Sequence, residues 1–389
     1  MGSKYRADHV GSLLRTSKLL DARRQYFSNK LSKAELTSIE DAEILGALAR
    51  QKAAGVDVFT DGEYRRAAWS SAWAESVSGL ERDVVEATPV FDRLASLQAW
   101  KGEHGAEANA SMVRHAETGE YTFGQVVTKK LEFRHRLTGH ESTFLKRYSP
   151  GPSKVTMPGV MMAAAGWYRP EISRMAYPTR AALVADMTAF VRAEVKALMQ
   201  EGIDYIQFDS LRYMWFLDPQ LRKSLTDRTI DIEQELEDTI ASDNACIDGV
   251  ARDGVTFGLH ICRGNNTSAW MAEGGYEAVA EQAFSELKVD RLLLEYDTER
   301  AGGFEPLRFV RKGMMVVLGV ISSKIPQLES QDDLRRRVDE AARYVPIENL
   351  AISPQCGFAS SSSGNLITLD DQQRKLELVA DTARRIWND

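Results

Sequence analysis

The chain has 389 residues, room for one large barrel or two ordinary domains. With 43% hydrophobic and 27% charged residues it has the make-up of a globular protein, and a net charge of −7 argues against a nucleic-acid binder, which would carry a basic face. No apolar run nears the ~20 residues of a membrane helix, and the first residues lack a signal peptide's apolar stretch, so the expected location is cytoplasmic, away from membranes.

A first strand is expected near residues 7–11. A helix opening at the capping box of Ser32 and Glu35 and stopped by Gly55 leads to a strand over 56–60, which ends in Asp61-Gly62-Glu63. Residues 76–148 fit the repeat badly and hold His104, His115, His135 and His140, four of the six histidines. They read as an insertion after the second strand, part helix and part hairpin, serving as a lid or an interface. A strand follows at 155–159. The next helix is capped by Thr179, places Leu183, Met187, Phe190, Val191, Val195, Leu198 and Met199 on one stripe, and stops at Gly202. Then come the strand 205–209, a polar helix over about 230–250, and the strand leading to His260 and Cys262. Further on stand a helix over 276–287, strands at 291–295 and 314–320, and a helix capped by Ser330 and Asp333. The apolar run into Cys356 and a last helix from the box Thr368/Asp371 complete the chain.

About eight strand–helix units predict a parallel (β/α)₈ TIM barrel, and no glycine-rich nucleotide loop favours an open sheet. In such barrels the site lies at the C-terminal strand ends. Glu63, Asp209, His260, Cys262, Glu295 and Cys356 all fall there. On a strand, positions 260 and 262 share a side, so imidazole and thiolate converge. Soft ligands of this kind suit zinc, with Glu295 as a fourth ligand or with a position left for water or substrate. Spacing alone leaves metal binding and plain packing both open; Cys246, on a helical stretch, reads as packing. Three distant cysteines make no disulfide framework. Asp61 and Asp209 could instead cap helices, whereas Glu63 sits past its turn and looks freer. Arg65, Arg66 and Arg263 read as solvated. Trp167, Tyr213 and Trp215 read either as rim packing or as stacking surfaces.

The segments His260-Ile-Cys-Arg-Gly-Asn-Asn, Leu294-Glu-Tyr-Asp and Ser353-Pro-Gln-Cys-Gly-Phe-Ala resemble signatures of the cobalamin-independent methionine synthase family. His9-Val-Gly-Ser-Leu-Leu-Arg and Thr60-Asp-Gly-Glu-Tyr-Arg-Arg are similar to the first two strand-end motifs of its short, single-barrel members. The resemblance runs from about Arg6 to Trp387 and is weakest over 76–148. It implies one barrel, of the fold shared with uroporphyrinogen decarboxylase, holding a catalytic Zn²⁺ on His260, Cys262, Glu295 and Cys356. It implies that Gly11 and Ser12, with Glu63 and Asp209, hold the amino-acid part of homocysteine. The implied activity is methyl transfer from a methylated folate or related donor, giving methionine, with the thiol activated by zinc. Glu295 would leave the metal when sulfur binds.

Three departures stand out. The resemblance covers only the catalytic barrel, so the second barrel that helps hold folate in the full-length enzyme is not expected here. Ser210 and Arg212 follow Asp209 where the family has a second acid and a proline. Ser322, Ser323 and Lys324 stand where the full-length enzyme carries a histidine acid. Two other readings stay open: a transferase opening epoxides with coenzyme M, and a non-catalytic zinc or thiol-binding barrel. A metal-free decarboxylase of the related porphyrin-processing fold is disfavoured by the Cys/His pattern. The expected partners are a small thiol and a methyl or alkyl donor, and homo-oligomerisation is left open.

Overall fold

The computed structural model describes residues 5–82, 100–118, 125–252 and 254–388. In chain order its strands begin with an antiparallel pair, β1 (Val77–Arg82) and β2 (Gln125–Phe133). Six parallel strands follow: β3 (Lys154–Pro158), β4 (Tyr205–Asp209), β5 (Thr256–Ile261), β6 (Arg291–Glu295), β7 (Met315–Ile321) and β8 (Leu350–Pro354). They pair in that order, and from β3 to β8 nearly every residue is buried, as expected for strands covered on both faces.

Two N-terminal segments close the ring. Ala7 bridges Ile352 of β8, Phe59 bridges Ser153 ahead of β3, and the Asp57 N–H donates to the Ala7 carbonyl at 3.0 Å. The chain is therefore a (β/α)₈ barrel with six regular strands and two short staves. The strands expected over 7–11 and 56–60 shrink to single bridges because side chains take over their ladder bonds. The Asp57 carboxylate accepts the Ala7 N–H at 2.8 Å, and the Gln51 amide binds both the N–H and the carbonyl of Thr60 at 2.9 Å.

The caps fall where the residues predict. Ser32/Glu35 and Thr368/Asp371 both form capping boxes, and the Thr179 and Ser330 hydroxyls accept the N–H groups of Ala182 and Asp333. The helix expected over 230–250 is shorter, Ile232–Ala245, because the Asp231 carboxylate caps its start. Between the second stave and β3 lie the short helix Ser71–Ser76, the β1–β2 hairpin and two further helices, Gly105–Thr118 and Gly139–Tyr148. The second of these leads directly into β3, as a barrel helix does. Residues 83–99 and 119–124 of the expected insertion lie outside the described residues. No helix among the described residues is long and apolar enough to cross a membrane.

At the N-terminal end of the barrel interior the charges are paired. Lys154 Nζ donates to Asp8 Oδ1 at 2.8 Å and to the His9 carbonyl at 2.6 Å. Tyr205 donates its hydroxyl to Asp8 Oδ2 at 3.2 Å, and Arg291 lies 3.7 Å from the same oxygen. Burial opposes the Asp8 charge, but Lys154 and Arg291 outweigh it and hold the carboxyl below its ordinary range.

Candidate active site

The opposite, C-terminal end collects the expected polar residues. His260 lies near the end of β5, Cys262 just beyond it, and Cys356 two residues past β8. Their ligand atoms lie within 4.8 Å of one another, and all three side chains are buried. Cys356 Sγ sits 3.6 Å from His260 Nε2. The turn after Cys356 comes this close only because residue 357 is glycine: a Cβ there would fall 1.9 Å from Ser12 Oγ. A hydrogen bond from Cys262 holds the Cys356 thiol well below its usual range, with help from the His260 imidazole. The same bond, with burial, pushes Cys262 well above that range. Two sulfurs and an imidazole nitrogen, already carrying a favoured thiolate, fit Zn²⁺ by chemistry and by convergence.

Glu295 ends β6 but is not in this trio. Its Oε2 accepts the Arg263 N–H at 2.6 Å and its Oε1 is bound by Arg300. Burial opposes its charge, yet Lys324, Arg300 and Arg263 prevail and hold it at about 2.

Glu63 and Asp209 form a second corner. Glu63 adopts φ 58°, a strained left-handed turn for a non-glycine residue. The turn is held by Asp61 Oδ1, which accepts the Glu63 N–H at 2.9 Å, and by Arg15, which donates to the Glu63 carbonyl at 2.9 Å. Asp61 thus braces a turn. Glu63 Oε1 accepts from Thr156 at 2.7 Å, whereas Oε2 is buried with no hydrogen-bond partner. Gly11 makes room: its φ is +137°, and a Cβ would meet Thr156 Cγ2 at 2.6 Å. Asp209 Oδ1 accepts from Gln207 at 2.8 Å. Burial, with the Glu63 charge adding to it, pushes Asp209 up to about 7 against the pull of His260. Burial likewise raises Glu63.

The arginines expected in solvent are buried, and the reason is visible in each case. Arg66 makes a two-pronged bond to Glu141 (2.7 and 2.6 Å) and lies 3.6 Å from Glu63 Oε1. Arg263 donates to the Gly274 carbonyl at 2.8 and 2.6 Å and to the Glu295 carbonyl at 3.1 Å, tying down the loop after Cys262. Arg65 is largely enclosed by Glu40 and Asp41. Each carries a charge the barrel needs to neutralise a buried acid or carbonyl, which no local pattern reveals.

One cavity joins both corners. It is lined by His260, Cys262, Cys356, Glu63, Asp209 and Ser12, and its apolar wall comes from Trp69, Trp100, Met162, Met214 and Met271. No lysine or arginine lines it among the described residues. Arg212 is bound instead to Glu235 at 2.6 Å. The aromatics singled out from the sequence do not line it: Trp167 packs edge-on against Trp73, and Tyr213 against Phe216. Sequence reasoning missed Trp69 and Trp100, which lie away from any strand end. It also passed over Asn265, whose amide donates to the Gly357 carbonyl at 2.7 Å while its Oδ1 stays unpartnered. Asn265 was within sight, directly in the His260 motif. Cys246 does pack: it is buried and donates to the Ser242 carbonyl at 3.3 Å.

These features define an α/β-barrel protein with two cysteines and a histidine converging at the C-terminal rim of its strands, a group that could hold a metal ion. Residues 157–370 match the family model "Cobalamin-independent synthase, Catalytic domain", and the chain belongs to that family. It is 34% identical over 387 residues to the uncharacterized protein YxjH of Bacillus subtilis (strain 168), covering 98% of this chain and 95% of that one. It is 24% identical over 353 residues to a methionine synthase of Saccharolobus solfataricus, covering 90% and 86%. The fold is shared with a B12-independent methionine synthase from Shewanella sp. W3-18-1, solved in complex with selenomethionine. There the TM-score is 0.71 at 18% identity, over 99% of this chain and 98% of that one.

Proposed function

We propose that this chain is a zinc-dependent thiol alkyltransferase that methylates homocysteine to methionine. The observation that carries this reading is the shared cavity. A buried Cys/Cys/His cluster faces the same space as an unpartnered carboxylate oxygen, Glu63 Oε2. His260, Cys262 and Cys356 would hold Zn²⁺, with Glu295 as an additional ligand. A bound zinc supplies deprotonation of a coordinated thiol at neutral pH, where a free thiol, with pKa near ~8.5, is mostly protonated.

The chain's own residues do the rest. The buried acceptors left over, Glu63 Oε2 and Asn265 Oδ1, suit a ligand rich in N–H donors, such as an α-ammonium group. Glu63 and Asp209 supply the negative charge, and a cation beside them offsets the burial that raises both. The backbone N–H groups of Gly11 and Ser12, the latter lining the cavity, would take the substrate carboxylate. Trp69, Trp100 and the three methionines keep water from the transferring methyl group. Trp100 comes from the described part of the 76–148 segment and covers this wall of the cavity.

The donor is a methylated folate or a related methyl carrier. The epoxide reading with a sulfonated thiol is less well supported, because among the described residues no lysine or arginine lines the cavity. The test is a paired assay: homocysteine and coenzyme M, each with methyl and epoxide donors, on zinc-loaded protein. Methionine formation is expected. Turnover only with coenzyme M and an epoxide would replace this reading, and a zinc shell unchanged by either thiol would favour a non-catalytic barrel.

A further inference from the structure

Glu295 is the one expected ligand whose carboxylate is fully engaged elsewhere. Oε2 accepts the backbone N–H of Arg263 at 2.6 Å, and Oε1 is bound by Arg300 Nη2. Arg300 is itself fixed on several sides. It donates to Asp297 Oδ1 at 3.0 Å and to Thr298 Oγ1 at 2.7 Å, and it lies 4.7 Å above the Trp270 ring. Trp270 is in turn paired through its backbone with Lys101, next to the cavity residue Trp100. Arg300 thus sits on a built platform, its side chain 9% exposed, with its guanidinium aimed at a carboxylate next to the metal cluster.

We propose that Arg300 is a positioning residue that gives Glu295 a second station. The carboxylate rests on Arg300 and the Arg263 N–H while a substrate thiol is bound, and it is available to the metal otherwise. This rests on the reading above that zinc and homocysteine meet at the cluster. The physical argument is competition for one carboxylate. Arg300 offers a charge-assisted hydrogen bond, which lowers the cost of drawing Glu295 away from a cation. Without it the Arg263 N–H is the remaining hydrogen bond and Lys324 acts only through its charge, so Glu295 favours the metal, and an incoming thiol has to displace it.

The test uses the full chain, wild type against Arg300→Met, Arg300→Lys and the double variant Arg300→Met/Glu295→Gln. Zinc affinity is read by competition with a chromogenic chelator, and homocysteine affinity by calorimetry on zinc-loaded protein. Arg300→Met is expected to bind zinc about tenfold more tightly and homocysteine about tenfold more weakly, each a shift of one decade in Kd. Arg300→Lys, which keeps the charge, recovers part of both. In the double variant homocysteine binding returns toward wild type, because no carboxylate is left to displace. If wild type binds zinc and homocysteine and Arg300→Met moves neither affinity, or lowers both together, the second station is overturned while the proposed function stands. A wild type that takes up neither zinc nor homocysteine overturns both.

Discussion

The two ends of one barrel interior treat the same residue type in opposite ways. At the N-terminal end, Asp8 is fully buried yet held below the ordinary carboxylate range, because Lys154 and Arg291 face it. At the C-terminal end, Asp209 is also buried but is pushed up to about 7, and Glu63 beside it rises too. Both ends hold acids in the same low-dielectric space. One end supplies cations for its acid; at the other, Asp209 is bonded to the neutral Gln207 amide, and Glu63 meets Arg66 at 3.6 Å through Oε1 while Oε2 stays unpartnered. Paired burial makes loss of either partner costly, whereas incompletely paired burial suits recognition of a cationic ligand.

The largest effect is expected at the metal cluster. Cys356→Ser removes one of three clustered ligands and should lower zinc affinity more than about 100-fold, since ~10–16 kcal/mol of zinc binding is typically shared over four ligands. Thiol alkylation should fall to background while circular dichroism stays native. Zinc and activity both retained would remove Cys356 from the site. Next comes the paired end. Asp8→Ala takes the carboxylate away from buried Lys154 and from Arg291, and chemical denaturation should show a loss of about 3–5 kcal/mol. A loss under ~1 kcal/mol would mean that the cluster is not a stabilising one.

Periodicity and caps were enough to place six strands and most helix starts, because those depend on neighbours within a few residues. His260 and Cys262 were legible for the same reason: a two-residue period places both on one side. Cys356 was found only because its apolar run also ended at a rim. The two N-terminal staves were overread, since Gln51 and Asp57 take ladder bonds that local pattern assigns to strands. Arg66 and Arg263 were misread as solvated because their partners lie far along the chain: Arg66 pairs with Glu141, 75 positions away. Trp100 could not be assigned, as nothing in a poorly repeating segment says which part folds back over the rim.

The opposite-sign counterpart of Asp8→Ala is Asp209→Asn in zinc-free protein. A raised folded pKa means that, from about pH 4 to about 7, the native state keeps a proton that the unfolded chain has lost. Wild-type stability therefore falls as pH rises through that window, and the loss is complete above it. Asparagine does not titrate, so the variant should stay flat. Its advantage should grow to about 2–4 kcal/mol by pH 8, at about 1.4 kcal/mol per pKa unit. In zinc-loaded protein the same variant should lose activity. A wild-type profile parallel to the variant's across pH 4–7 would show that Asp209 titrates normally.

The smallest effect, and the most selective, is expected for Glu63→Gln. The amide keeps the shape and can still accept the Thr156 hydroxyl, which Glu63 Oε1 now accepts at 2.7 Å. What it loses is the charge that an α-ammonium group would meet, a hydrogen bond to a charged group worth about 1.5–3 kcal/mol. The KM for homocysteine should rise about 10–100-fold. The kcat should change far less, because that contact is made equally in the ground and transition states. Zinc affinity should not move, since Glu63 is outside the Cys/Cys/His trio. A KM left unchanged, or a kcat that falls as steeply as kcat/KM, would take the ammonium away from Glu63. The first result would leave Asp209 as its partner, and the second would place Glu63 in the chemical step.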